Sequence, residues 1–337
     1  MNSFGRIFRV ELFGESHGKQ VGVIIDGCPP GIPLTEADFE ADLARRRSGG
    51  AGTTPRRESD APSLLSGIFK GKTTGSPICI AFANSDTKSE DYEQFSAIPR
   101  PGHADFTSHV KYGGFTDPRG SGHFSGRITV GLVAAGVIAK KVLDKVQFET
   151  RILSAGGQTD VAGAVSAAAA DGDSVGGIVE TRVSGLPASL GEPFFDACES
   201  VIAHALFAVP AIRGVEFGDG FSAASMRGSE HNDPFVDESG KTLRNGAGGI
   251  NGGITNGNEL IVRVAVKPTS SIAKSQQTFD FRKGSMTNFS IEGRHDACIA
   301  IRSAVVIEAA TAVALADLSL VAAATAPRST VTPWRNS

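Results

Sequence analysis

Residues 6–26 read RIFRVELFGESHGKQVGVIID. Phe8, Val10 and Leu12 alternate with Arg9 and Glu11, and after the glycines Val21, Val23 and Ile25 alternate again, so the spacing predicts two paired strands over 6–13 and 20–26. The GESHG between them, residues 14–18, also satisfies the G-x-S-x-G pattern of a serine hydrolase elbow. An elbow, however, joins a strand to a helix, and here the chain beyond Gly18 alternates like a strand. GESHG therefore reads as the connection of a hairpin. Ser16 loses the setting of a nucleophile, while His17 is left in a glycine-flanked turn.

Working outward, residues 34–50, LTEADFEADLARRRSGG, predict a helix with a Thr35–Asp38 capping box, an apolar face through Phe39 and Leu43, and a stop at Gly49. Arg45, Arg46 and Arg47 suit the negative end of its dipole. The loop that follows, SGGAGTTPRRESD, adds Arg56 and Arg57 and is suited to closing over an anion. GIFKGKT, residues 67–73, falls short of a phosphate-binding P-loop because Ser66 stands where the first glycine belongs, so it reads as a strand turn. ITVGLVAAGVIAKKVLD, residues 128–144, predicts a helix directly after DPRGSGHFSGR. From about 150 to 240, strand-like runs (GGIVETRVSG, IRGVEFGDG) flank a helical stretch, FFDACESVIAHALFAV, without regular β-α-β spacing and without G-x-G-x-x-G. The Ala-rich run 305–326 predicts a buried helix, since Glu308 and Asp317 argue against a membrane span.

The 337 residues are 40% hydrophobic and 20% charged, the balance of a soluble globular protein. The N-terminal residues lack the pattern of a secretion signal, so a cytoplasmic protein without a membrane partner is expected. A net charge of -3 argues against a general nucleic-acid binder. Cys28, Cys79, Cys198 and Cys298 are scattered singly, which suggests reduced, mostly buried thiols and neither a disulfide framework nor a metal site.

Chemistry concentrates in glycine-rich loops. His17 (GESHG), His103 (RPGHAD), His123 (RGSGHFSGR) and His295 (EGRHD) all lie in polar loop contexts. The RGSGHFSGR loop supplies Arg119, Ser121, Ser125 and Arg127 ahead of a helix N-terminus, where free N–H groups and the dipole favour anions. VKPTSSI places Lys267 beside Thr269, Ser270 and Ser271, suited to a phosphate or a polyol chain. Arg294 and Asp296 precede the last helix. Together these predict a locally basic site for a small, highly anionic ligand. Two further classes stand beside an enzyme of this kind: a serine hydrolase acting through GESHG, and a non-catalytic binder of anionic metabolites or flavin, which would have no use for His17, His103 and Asp296 together.

FRVELFGESHG, DGCPPGIPLTEADFEADLARRR, IPRPGHADFTSHVKYG, the RGSGHFSGR loop, AIRGVEFGDGF, AGGINGGITNG, VKPTSSI and EGRHDACIAIRSAVVIEAA together resemble the chorismate synthase family, in the family's order from end to end. The resemblance implies an α+β fold, a β-α-β sandwich forming a single large domain over residues 1–330 and assembled as a homotetramer. It implies a lyase of the shikimate pathway, performing an anti-1,4-elimination of phosphate from 5-enolpyruvylshikimate 3-phosphate to give chorismate. The cofactor implied is reduced FMN with no net redox change, NADPH entering only indirectly. Carried onto this chain, His17 would protonate the departing phosphate, His103 would stand near the flavin ring, and Asp296 would assist proton removal. Flavin contacts would fall on His123, Phe124, Ser125, Ala211, Gly252, Lys267, Pro268, Thr269, Ser270, Ser271 and Arg294. Arg46, Arg57 and Arg127 would hold the substrate's phosphate and carboxylates, as bidentate guanidinium pairing favours. The chain departs from the family at His123-Phe124, where many relatives have Arg-Ser, and at Pro210, where Asn is usual. It also lacks an arginine that many members carry after the first helix.

Overall fold

The computed structural model describes residues 1–49, 52–53, 58–85, 95, 97–291 and 295–327. The opening stretch forms the hairpin its alternation implies: β2 (Arg9–Gly14) and β3 (Gln20–Asp26) pair antiparallel, from Arg9 opposite Asp26 to Gly14 opposite Val21. The first strand starts at Arg9 rather than residue 6 because the amides of Arg6, Ile7 and Phe8 donate instead to the buried carboxylate of Asp317, at 2.9, 2.8 and 2.9 Å. With β1 (Ser3–Phe4), β4 (Ser63–Leu64) and β7 (Ile78–Ala83), the hairpin builds a five-stranded sheet in the order β1-β2-β3-β7-β4. GIFKGKT forms the small hairpin of β5 (Ile68–Phe69) and β6 (Lys72–Thr73), as its reading as a strand turn requires.

A second antiparallel sheet runs β10-β13-β9-β8, from β8 (Gln147–Ala155), β9 (Gly177–Ser184), β10 (Ile212–Phe217) and β13 (Leu260–Val266). Two short hairpins lie outside the sheets, β11 (Ile250–Asn251) with β12 (Ile254–Thr255) and β14 (Gln276–Asp280) with β15 (Ser285–Phe289). Thr35 opens the first helical segment with its amide donating to Asp38 Oδ2 at 2.7 Å, and α1 (Glu40–Arg46) buries Leu43. The remaining helices are α2 (Asp105–Lys111), α3 (Thr129–Leu143), α4 (Val161–Ala170), α5 (Cys198–Phe207), α6 (Gly228–His231) and α7 (Ala300–Thr325).

The helices explain why the two sheets form one body. α3 packs on β3 and β7, α7 packs on β8 and β9, and the two helices pack on each other, so the layers are sheet, helices, sheet. Small residues set the spacing. A side chain on Gly131 would stand 2.8 Å from Gly22 O of β3, and one on Gly136 would stand 2.4 Å from Ala309 Cβ of α7. α7 is apolar on every face because neighbours surround it, as expected of a helix inside a core. It is long and apolar enough to cross a bilayer, yet 78% of its most apolar stretch is buried within the fold. Its two acids are pins: Asp317 receives the N-terminal amides, and Glu308 meets Arg45 at 2.7 Å and Lys140 at 2.5 Å. Burial opposes ionisation of Glu308, but Arg45 and Lys140 hold its carboxyl down at about 2. Cys28, Cys198 and Cys298 are buried and unpaired, and burial pushes the Cys28 thiol up to about 11 and Cys198 to about 12.

Candidate active site

A large cleft of about 1640 Å³ opens where the end of α1, the 100–107 loop, the glycine loop 120–129, the 204–213 turn, the segment after β13 and the start of α7 converge. It gathers residues separated by most of the chain. Among those anticipated, Arg46, His103, His123, Phe124, Ser125, Arg127, Ala211, Lys267, Pro268, Thr269, Ser270, Ser271 and Asp296 line it. Arg57 and Arg294 lie outside the described residues.

Two anticipated residues stand elsewhere. His17 is 9% exposed and lies behind the wall, because the positive φ values of Gly120, Ser121 and Gly122 fold that loop down onto the GESHG turn. A side chain on Gly120 would stand 2.6 Å from His17 Cδ2, 2.7 Å from its Nε2 and 2.7 Å from Ser16 Oγ, so the imidazole fills the place that side chain would take. Ser16 is fully buried, with its amide donating to Gly122 O at 3.0 Å, and the turn leads into a strand. No nucleophile elbow exists there. Gly252, expected at the flavin, sits in the β11–β12 turn and does not line the cleft. That hairpin is held by neighbouring Gly253, whose carbonyl accepts from the Cys198 amide at 2.8 Å at the start of α5.

The basic groups differ in how they are held. Arg46 and Arg127, each buried to 4% exposure, share the carboxylate of Asp60. Arg46 also donates to Thr129 Oγ1 at 3.1 Å and to the carbonyls of Gly126 and Arg127 at 3.0 and 3.2 Å. Arg127 donates to Asn84 Oδ1 at 2.9 Å and to Ala83 O at 3.1 Å. Of five donors each, Arg46 commits four and Arg127 three. They therefore offer a ligand positive charge and a few directed N–H groups rather than a free fork. Burial lowers Arg46 to about 9, Asp60 opposing and Arg302 and Arg127 adding to the effect.

Around the rim, Arg302 Nη1 meets Asp296 Oδ2 at 3.1 Å and also lines the cleft. Arg47 and Arg213 join it with no carboxylate at ion-pair distance among the described residues. Lys267 Nζ donates to Gly102 O at 2.5 Å and to Ser270 Oγ at 2.6 Å, tying the KPTSS segment to the loop of His103. Burial, with Arg213 nearby, lowers the Lys267 ammonium. His103 lies between Asp105, 2.8 Å from its Nδ1, and Ser121, 3.2 Å from its Nε2. His123 is used structurally, its Nδ1 donating to Gly14 O at 2.8 Å, and Phe124 packs near the Tyr112 ring. Ser125 accepts from the Arg127 amide.

The sequence assigns Asp60, Arg100 and Arg302 no place in the site, and it marks His295 only as one of four loop histidines. Arg100 lay in view within RPGHAD, and Arg302 sits six residues after Asp296 with nothing local to mark it. His295 lines the cleft beside Asp296, and burial, with Arg100, lowers its imidazole pKa. Its Nε2 and the Oγ1 of Thr269 are buried with no hydrogen-bond partner among the described residues. Buried polar atoms without partners are costly, so two of them in one cleft fit a site that closes on a polar ligand. Lys267, the KPTSS hydroxyls, Ala211 at φ +76 and the broad apolar wall formed by Ile212, Ile299 and Val306 suit a flat ring carrying a polyol phosphate. Among the described residues no group of three His, Cys, Asp or Glu can hold a metal ion.

The family model described as chorismate synthase matches residues 8–320. The chain is 60% identical over 321 residues to a chorismate synthase of Chitinophaga pinensis, spanning 95% of this chain and 97% of the relative. It is 46% identical to one from Dehalococcoides mccartyi (95% of this chain, 96% of the relative) and 45% identical to one from Methanosarcina mazei (94% and 95%). A crystal structure of chorismate synthase superposes with a TM-score of 0.71 at 26% identity, over 94% of this chain and 92% of that one.

Proposed function

The chain belongs to the chorismate synthase family, lyases of the shikimate pathway, and from that premise we propose how its cleft performs the 1,4-elimination of phosphate from 5-enolpyruvylshikimate 3-phosphate. The observation that carries the proposal is the shared Asp60: two buried guanidiniums on one carboxylate leave surplus positive charge fixed in the cleft wall, where an anion with a phosphate and two carboxylates is bound most strongly. Arg46 and Arg127 hold those groups, and the family resemblance assigns Arg57 to the same task. Ser125, Ala211 and the Lys267–Ser271 segment would hold reduced FMN, which would supply transient electron density with no net redox change.

The protein's own part is charge and proton placement. Phosphate leaves poorly as a fully charged anion, and His17, which stands behind Gly120 rather than in the cleft, would give it a proton across that glycine, where no side chain intervenes. Asp296, fixed by Arg302, assists removal of the proton lost from the ring. His103, its orientation set by Asp105, would stand near a bound flavin. NADPH enters only indirectly. The protein works in the cytoplasm, with no nucleic-acid or membrane partner, as a homotetramer. Exposed Phe194, Phe195, Phe221, Phe235 and Leu243 support assembly, since apolar surface of that kind marks contact sites.

The deciding experiment is an anaerobic assay with dithionite-reduced FMN and 5-enolpyruvylshikimate 3-phosphate. Many turnovers of chorismate per flavin are expected. No product, or one flavin oxidised per product, would sink the proposal, and sedimentation equilibrium tests the tetramer.

A further inference from the structure

Counting hydrogens around Arg100 fixes where the proton sits on His103. Arg100 Nη2 carries two hydrogens and donates both, to Asp105 Oδ1 at 2.7 Å and to Ser121 Oγ at 2.9 Å. None remains for His103 Nδ1, 3.2 Å away. That nitrogen lies 2.8 Å from Asp105 Oδ1. Burial works against ionisation of Asp105, but hydrogen bonds from Arg100 and His103 outweigh it and hold the carboxyl well below the usual carboxylate range. An ionised carboxylate only accepts, so Nδ1 carries the hydrogen and Nε2 the lone pair. Ser121 Oγ already accepts from Arg100 and lies 3.2 Å from Nε2, so its own hydrogen is directed to that lone pair.

Ser121 holds this position at a backbone cost. It sits at φ +69 between Gly120 and Gly122, both also at positive φ, in a turn where glycine would be free of strain. A side chain kept in the left-handed region is a sign of use rather than of local preference. Both Ser121 and His103 line the cleft.

We propose that Ser121 is the residue through which His103 exchanges a proton with the ligand in the cleft. As Nε2 gains the hydrogen of the serine hydroxyl, Oγ takes one from the ligand. The serine ends unchanged, one proton has moved from ligand to imidazole, and the new imidazolium faces the Asp105 carboxylate. The return runs over the same bonds. This rests on the reading above that His103 acts in the reaction.

The test is a double-mutant cycle on the full-length protein with reduced FMN. Ser121→Gly removes the hydroxyl and relaxes the backbone, so its melting temperature should equal or exceed the parent's. Its kcat should fall about tenfold or more, with KM changed by less than about twofold. In a His103→Ala background the same substitution should add no further loss, because the hydroxyl works through the imidazole. Parental kcat in Ser121→Gly, or equal losses in both backgrounds, overturns the proposal. Should the glycine variant melt lower than the parent, Ser121→Ala carried through the same cycle decides by the same criteria. Parental kcat in His103→Ala alone would instead overturn the role given to His103, so the two failures are distinct.

Discussion

Gly120 is the residue on which the most depends for its size. His17 and Ser16 occupy the space a side chain there would need, and the backbone is left-handed at φ +57. Gly120→Ala therefore meets both a clash and backbone strain, and it should displace the imidazole and depress kcat while leaving the fold in place. An alanine variant with parental kcat and melting temperature would show that the wall yields easily. His17→Ala should cost roughly 10²–10⁴ in kcat, the range for one general acid, with flavin binding kept. Ser16→Ala, which removes a buried hydroxyl with no covalent task, should cost much less. Equal losses in the two variants would return the serine to consideration.

At the scale of elements, the α3–α7 contact holds the two sheets together. Alanine normally improves a helix over glycine by about 1 kcal/mol. Gly136→Ala should nevertheless be destabilising by about 1–3 kcal/mol, because its Cβ would stand 2.4 Å from Ala309 Cβ and 2.6 Å from Ala309 Cα. Urea unfolding reads the sign directly. Glu308 ties α7 to α1 and α3, and its carboxyl is held at about 2 against an ordinary 4.5. A depressed carboxylate contributes stability that is complete above its unfolded value and is lost as pH falls through the folded one. The contribution of Glu308 should therefore disappear between about pH 4.5 and 2. Glu308→Gln should flatten the stability profile across that window. The loss on Glu308→Ala at neutral pH should stay below the roughly 3–5 kcal/mol of a fully buried pair, because Arg45 is 42% exposed.

For the whole molecule, the cleft joins both sheets, so a ligand filling it should stabilise the global fold. At one hundred times its dissociation constant, reduced FMN with substrate should add about 2.7 kcal/mol, seen as a rise in melting temperature that depends on ligand concentration. An unchanged melting temperature would mean that no binding occurs in the cleft. What the sequence by itself determined is local or periodic. Alternation of period two placed the β2–β3 hairpin and disqualified Ser16, the capping box and apolar face placed the first helical segment, and the all-apolar run placed α7. Glycine beside histidine and arginine marked the RPGHAD and RGSGHFSGR loops, which line the cleft, although the same mark in GESHG fell behind its wall. What only the tertiary structure decided is pairing at long range. Asp60 between Arg46 and Arg127, Asp317 under the N-terminal amides, Ser121 on His103, and His17 behind Gly120 all join segments whose contact no local pattern encodes. The reason is physical. Local backbone preference and hydrophobic period act over a few residues, whereas a buried charge is settled by whichever partner the packed helices and sheets bring within hydrogen-bond reach.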